Sequence, residues 1–307
     1  MTHSSKLLKS GGCSVILGKD HYAGHFPEKL NKLLKITRIL DCHNEMKYAS
    51  IIRNIVNSKS YYAIPENEVV ELLPSSQYYK YLKMNLEPFG VDIFTGKLSC
   101  FYVDYAGSLD LHDSIKKMCD DFDNSIWYSY RAILEFAYHI MRGIAYLHNR
   151  KLCHLDIKPE NIMIDIKSNG TRSFKIIDFG FCSKEPFTDF VNKPCGTPGY
   201  FPKDIEFTTE LGLPSITAND FVPNKISGLV PMLADYKMVY KIDSYCFGRT
   251  LNYLLCNYNV TFLICCSCFN RDNNLSKLNK LIKSLTKDDV YSRLLITSFV
   301  NNKTSII

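Results

Sequence analysis

Between Cys153 and Ile164 the chain reads C-H-L-D-I-K-P-E-N-I-M-I, and three of these residues make a chemical set. Asp156 is a carboxylate able to orient an attacking hydroxyl, Lys158 brings a cation to a transferring phosphoryl group, and Asn161 offers an amide oxygen to a hard divalent ion. All three fall within a stretch short enough to be one loop. A second cluster, K-I-I-D-F-G at 175–180, adds Asp178, a further oxygen ligand that would face the same metal from the opposite side. Phosphoryl transfer from a nucleotide is the chemistry such a set supports, because catalysis of that reaction is mostly positioning and charge stabilisation. A single Asp in a polar turn would carry no such meaning; the conjunction of the two motifs does.

These residues need elements to hold them. From 129 to 149, Ile133, Phe136, Ala137, Ile140, Ile144 and Leu147 recur on one helical face, which predicts a long buried helix leading into His154. Segments 162–166 and 173–177 read as a hairpin across Ser168-Asn169-Gly170, an N-G turn that brings Asn161 and Asp178 to one edge. Nearer the start, Gly11 and Gly12 precede an apolar strand through Val15, and a glycine pair lets backbone amides approach phosphates. A short strand at 32–36 carries Lys35. Met46, Ala49, Ile52 and Ile55 predict a helix over 44–55 with Glu45 near its start, which makes Glu45 the candidate ion-pair partner of Lys35. Lys32 with Glu66 or Glu68 is the alternative pairing. Strands are predicted at 61–65 and 98–104, separated by a polar helical stretch at 69–83.

Bulk composition narrows the partners. With 307 residues and 46% hydrophobic content the chain can bury a large core, so disorder is not the default reading. The net charge of +6 is spread without a run of Lys or Arg, which gives no nucleic-acid or lipid arm. No apolar segment of signal-peptide length opens the chain, and the most apolar stretch, 253–269, is broken by Asn257 and Asn259. The expectation is a soluble, intracellular, cytoplasmic protein with no membrane span. Its 12 cysteines show no disulfide-scaffold spacing. Cys265-Cys266-Ser267-Cys268 reads as helix thiols, since no second pair or nearby His completes a tetrahedral metal site.

In order and spacing, D-I-K-P-E-N and D-F-G resemble the catalytic and metal-binding loops of the eukaryotic-type protein kinases. C-G-T-P-G-Y at 195–200 is similar to the end of that family's activation segment, and K-I-D-S-Y-C-F-G at 241–248 to the start of its central helix. The resemblance implies an α+β bilobal protein kinase fold: a small β-rich N-lobe over 1–104, a helical C-lobe over 105–307 with a probable insertion at 205–239, and ATP between them. It implies Mg²⁺ on Asn161 and Asp178, and ATP bound through Gly11, Gly12, Val15, Lys35, and the backbone of Asp104 and Ala106. It further implies structural roles for Glu45, Thr197, Asp204, Asp243 and Arg293. Thr197 supports Asp156, Asp243 accepts hydrogen bonds from catalytic-loop amides, and Asp204 pairs with Arg293. Three departures stand out. The Gly11-Gly12 pair lies between the family's expected glycine positions, Leu155 replaces the arginine before the catalytic Asp, and Pro202-Lys203-Asp204 replaces A-P-E.

Lys158 and Thr197 match the Ser/Thr branch, so the implied activity is transfer of the ATP γ-phosphate to a protein hydroxyl. Phe181 and Glu160 resemble residues that accompany a preference for serine in a basic context. The altered N-lobe leaves a kinase-shaped interaction module, a pseudokinase, as one alternative, and a small-molecule kinase of the same fold as another. The irregular N-lobe and the abundance of Asn, Lys and Tyr resemble the divergent protein kinases of large DNA viruses.

Overall fold

The computed structural model describes residues 7–11, 14–18, 32–86, 94, 96–121, 126–127, 129–188, 190, 196–202, 208–209, 221–222, 235–265 and 273–301. These residues fall into two compact units. The first holds the described residues up to Asn54 together with Ala63–Tyr105; the second holds Ile55–Tyr62 and most of the chain from Ala106 onward.

The first unit is built on an antiparallel five-stranded sheet in which residues 7–11, 14–17, 32–38, 98–104 and 65–72 lie side by side in that order. Strands β1 (Leu7–Gly11), β2 (Ser14–Leu17) and β3 (Lys32–Arg38) lead to helices α1 (Ile39–Met46) and α2 (Ala49–Arg53). Strand β4 (Pro65–Leu72), helix α3 (Gln77–Leu86) and strand β5 (Leu98–Asp104) complete it. Alternation along β2 buries Val15 and Leu17. They join Leu34, Ile36, Cys100 and Tyr102 from the strands and Tyr79, Leu82 and Leu86 from α3 in one core. Fully burying an aliphatic side chain of this kind contributes about 1.5–3 kcal/mol.

Three predicted elements are redrawn here, the helical stretch expected at 69–83 being Gln77–Leu86, with 69–72 in β4. The helix expected over 44–55 is two helices, broken at Lys47 and Tyr48, where the Lys47 N–H closes the first on the His43 carbonyl at 3.0 Å. Its buried face begins earlier than the apolar stripe suggests, at Cys42 and Glu45, so Glu45 sits in the last turn of α1. A thiol and a carboxylate do not register as a hydrophobic period, although a buried Cys packs as a small apolar residue. The strand expected at 61–65 is β4 at Pro65–Leu72, while Tyr61 ends a short helix, Ser58–Tyr61. β4 is an edge strand exposed over most of its length, and such a strand shows no in-out alternation to read.

The second unit is largely helical. Helix α4 (Leu111–Asp120) starts on Asp110, whose carboxylate accepts the Asp113 N–H at 2.8 Å, and α5 (Tyr130–Asn149) starts on Ser129, whose hydroxyl accepts the Ala132 N–H at 3.1 Å. Helix α6 (Lys237–Cys265) runs through the middle of this unit, with Ile242, Asp243, Ser244, Phe247, Thr250, Leu251 and Leu254 all inaccessible. Helices α7 (Asn273–Leu285) and α8 (Ile296–Asn301) come after it. Strands β6 (Leu109–Asp110), β8 (Ile162–Ile166) and β9 (Arg172–Ile176) form a small sheet, and β7 (Leu152–Cys153) pairs with β10 (Ser183–Lys184). β8 and β9 are the predicted hairpin, turned at Gly170 with φ of 78°. Gly107, at φ of 141°, is required: a Cβ there would lie 2.2 Å from the Ile164 carbonyl oxygen. Residues 55–62 are fixed by Tyr62, fully buried, whose hydroxyl donates to the Gly143 carbonyl at 2.6 Å. Of the stretch 205–239, only a two-residue ladder, Thr208–Thr209 with Phe221–Val222, and residues 235–239 lie among those described. Among the described residues no helix is long and apolar enough to cross a membrane.

Candidate active site

In the first unit, β3 places Lys35 opposite Phe101 on one side and Ile16 on the other. The Lys35 Nζ meets Glu45 Oε2 of α1 at 2.6 Å, with the two side chains only 8% and 5% exposed. An ion pair this deeply buried is a cation held in one place at the expense of desolvation, which is what a phosphate-binding lysine requires. The alternative pairing of Lys32 with Glu66 is also present, at 3.3 Å, but these side chains are more exposed than Lys35 and Glu45, and Lys32 is shared with Asp104. Asp104 also accepts the Ile64 N–H at 3.4 Å. Gly11 pairs with Ser14 across β1 and β2, next to the buried Val15. Gly12 lies outside the described residues.

In the second unit, the loop after β7 is anchored from below by α6. Asp243, fully buried, accepts the His154 N–H at 2.9 Å on Oδ2 and the Leu155 N–H at 2.7 Å on Oδ1. The His148 ring nitrogen Nε2 lies 2.9 Å from the same Oδ2. Burial pushes the Asp243 carboxyl up, but these partners, His148 foremost, hold it below the usual carboxylate range. His154 is also inaccessible: Asp156 N–H donates to its Nδ1 at 3.3 Å, so its Nε2 carries the proton and donates to the Ile177 carbonyl at 3.0 Å. That histidine is a brace between the two motifs. Leu155 and Asp178 both adopt left-handed backbone, φ of 66° and 63°, a conformation costing about 1–3 kcal/mol for a non-glycine residue and typical of functional sites.

Asp156 lies at the centre of a tight polar cluster. The Thr197 hydroxyl donates to its Oδ1 at 2.5 Å, Lys158 Nζ lies 3.0 Å from its Oδ2, and Asn161 Nδ2 donates to Oδ2 and to its backbone carbonyl, both at 2.8 Å. Lys158 also donates to the Thr197 hydroxyl at 2.7 Å, which closes a ring of three residues. Burial pushes the Asp156 carboxyl up; Lys158 and Thr197 pull it back, and the charge of Asp178 adds to the rise. Gly196, at φ of 146°, delivers Thr197: a Cβ there would sit 1.6 Å from the Phe201 ring. With its amide nitrogen committed to Asp156, Asn161 has its amide oxygen for a cation, and Asp178, whose Oδ1 accepts the Gly180 N–H at 3.3 Å, supplies a carboxylate. An all-oxygen donor pair of this kind fits Mg²⁺.

Ala106 is buried at the start of the second unit. Arg293, 2% exposed, donates through Nε to the Lys287 carbonyl at 2.8 Å and lies over the Tyr245 ring; Asp204, its expected partner, is outside the described residues, as are Cys195 and Cys266 to Cys268. His148 is a neighbour of the site that sequence reasoning does not find. It ends a helix, far in sequence from Asp243, and no local pattern links the two.

A β-sheet unit with a buried Lys–Glu pair and a helical unit with a braced Asp-Lys-Asn loop and a D-F-G turn define the protein kinase fold. The Protein kinase domain profile matches residues 30–206, and the chain belongs to that family. It is 29% identical over 175 residues, 57% of this chain, to the probable serine/threonine-protein kinase fhkB of Dictyostelium discoideum. It is 25% identical over 198 residues, 63% of this chain, to serine/threonine-protein kinase N2 of Danio rerio. These matches span only 12% and 17% of the relatives' own lengths. Among solved structures, the ROP18 kinase domain in complex with AMP-PNP and sucrose is similar in fold, with a TM-score of 0.51 and 16% identity over 97% of this chain and 76% of that one.

Proposed function

We propose that the chain is a serine/threonine protein kinase that transfers the γ-phosphate of ATP to a protein hydroxyl, with Asp156 orienting the acceptor. The observation that carries this reading is the ring of Asp156, Lys158 and Thr197, which aims a buried carboxylate and places a cation beside it. In that reading Asp156 accepts the hydroxyl proton as the oxygen attacks, and Lys158 stabilises charge on the moving phosphoryl group. Lys35, held by Glu45, orients the nucleotide phosphates, Gly11, Gly12 and Val15 cover them, and the backbone at Asp104 and Ala106 receives the adenine. Asn161 and Asp178 hold Mg²⁺, which when bound neutralises phosphate charge. An intact Lys35–Glu45 pair and an intact loop support an enzyme over a pseudokinase.

The acceptor is serine in a basic context, on the strength of Phe181 and Glu160. The composition and irregular N-lobe support kinship with kinases of large DNA viruses, acting in the host cytoplasm. The test is incubation with ATP, Mg²⁺ and a degenerate peptide library, followed by phosphoamino-acid analysis. Phosphoserine flanked by Lys or Arg is the expected product. Threonine dominance or acidic flanks would remove the acceptor assignment, and incorporation into a small alcohol but no peptide would move the enzyme to another class.

A further inference from the structure

After the D-F-G turn the chain runs beside the strand that leads into the catalytic loop, with Ser183 opposite Cys153 and Lys184 opposite Leu152, and it leaves that ladder at Glu185. Three bonds meet there. The Glu185 N–H donates to the Lys151 carbonyl at 2.9 Å, Lys151 Nζ lies 3.3 Å from its Oε2, and the Tyr240 hydroxyl of α6 donates to its Oε1 at 2.5 Å. The ion pair with Lys151 is the weak member, because that lysine side chain is 67% exposed, whereas the Glu185 side chain is 20% exposed. Burial, and then the bond to Glu185, push the Tyr240 hydroxyl above the usual phenol range, so it stays a donor. Two residues on, Phe187 is fully buried in left-handed backbone, φ of 58°, with its ring edge-on to Tyr236 at 6.0 Å and to Tyr240 at 5.4 Å between ring centres. A bulky residue keeps that backbone only where its surroundings dictate it, so this segment has a defined seat on the helical unit.

Tyr240 faces two ways. Its hydroxyl holds Glu185, and its ring lies 4.6 Å from the ring of His148. His148 in turn holds the Asp243 carboxylate that accepts the His154 and Leu155 amides. Glu185, Tyr240, His148 and Asp243 therefore make a continuous line of contacts from the segment after the D-F-G turn to the backbone just before Asp156. Leu155, fully buried, brings no charge to this region. Elsewhere an added phosphate can order such a segment by accepting hydrogen bonds from the body of the protein. A glutamate that accepts a hydroxyl from α6 supplies that anchoring from the sequence itself.

We propose that Glu185 and Tyr240 are positioning residues for phosphoryl transfer: the hydrogen bond between them holds the segment after the D-F-G turn in its working place, an anchor built into the chain. The proposal rests on the kinase reading of the site. Tyr240→Phe is the sharpest variant, because it keeps the ring against Phe187 and His148 and removes only the hydroxyl. In the full chain, Tyr240→Phe and Glu185→Ala should each lower kcat at least about tenfold with the KM for ATP unchanged, and the two together should lose no more than either alone. Glu185→Gln, whose amide oxygen still accepts the Tyr240 hydroxyl, should keep at least about a third of the parent's kcat. Native-state hydrogen exchange reads the anchor without activity: in Tyr240→Phe the amides of Glu185 and Phe187 should exchange at least about tenfold faster, while those in the middle of α6 keep their rates. An unchanged kcat in Tyr240→Phe, a loss in Glu185→Gln as large as in Glu185→Ala, or unaltered exchange would overturn the proposal. So would a lower melting temperature with kcat per folded molecule preserved, since the contact would then be structural only. A parent that transfers no phosphate overturns the kinase reading instead, and the exchange rates still decide whether the anchor holds the segment.

Discussion

At Asp156 two demands pull against each other. Burial favours the neutral acid and raises its pKa, whereas the proposed role of orienting a hydroxyl and accepting its proton needs the carboxylate, towards which Lys158 and Thr197 pull it back. An acid whose folded pKa lies above its unfolded value lends stability below the unfolded value, about 3.9, and loses that contribution as pH rises through the folded one. At neutral pH the charge on Asp156 therefore destabilises the fold. Asp156→Asn should lower turnover about 10²–10⁴-fold, while calorimetry finds a melting temperature no lower than that of the parent. A clear drop in melting temperature would show that the ring is chiefly structural. Thr197→Val removes one of the groups that lower this pKa, so the acid limb of the pH–rate profile should move to higher pH. Lys158→Ala and Asp178→Ala act on the same charge-stabilised transfer, so a double substitution should lose little more than either single one. Most of these residues are legible in the sequence because the loop that gathers them is short, and their types and order carry the chemistry. Thr197 is placed only by resemblance, since nothing local ties it to Asp156.

Elements decide whether that loop has a shape at all. The carboxylate of Asp243 on α6 holds the His154 and Leu155 amides and is itself held by His148 at the end of α5. Asp243→Ala would leave two buried amides and an imidazole without their acceptor. A loss of stability of about 3–5 kcal/mol is expected from denaturant titration, the range for breaking a buried charged network. Because its folded pKa is depressed, the stability Asp243 lends is present above the ordinary carboxylate pKa and lost as pH falls through the lower folded value. In the sheet unit, Lys35→Met and Glu45→Gln should each weaken nucleotide binding, and a double-mutant cycle should show them strongly coupled. Long amphipathic helices and the β8–β9 hairpin can be read from periodicity and turn chemistry. The break after Met46 and the exposed strand Pro65–Leu72 cannot, because the first is set by tertiary packing of Cys42 and Glu45 and the second is an edge strand buried only at its two ends, without in-out alternation between them.

For the molecule as a whole, the proposed kinase reading carries a prediction about regulation, and it rests on Leu155. This side chain is fully buried, where an arginine before the catalytic Asp would demand a phosphate partner to neutralise it. Leucine neither repels in the unmodified state nor clamps a phosphate in the modified one. Of two hydroxyls in the segment after the D-F-G turn, Ser183 is 3% exposed and Thr188 is open to solvent. Phosphatase-treated protein should keep most of its activity, and Ser183→Ala with Thr188→Ala should change turnover less than about tenfold, under about 1.4 kcal/mol in barrier. A large loss restored by rephosphorylation would mean that a lysine has taken the arginine's place. The central claim, that this chain moves phosphate through Asp156, is tested most directly by mixing excess enzyme with γ-labelled ATP, Mg²⁺ and a serine-containing protein, and following label on the protein in a single turnover. The parent should transfer the label to serine, and Asp156→Asn should bind ATP normally yet transfer at least about a hundredfold more slowly. Equal rates for the two proteins, or no transfer by the parent despite tight ATP binding, would contradict the account.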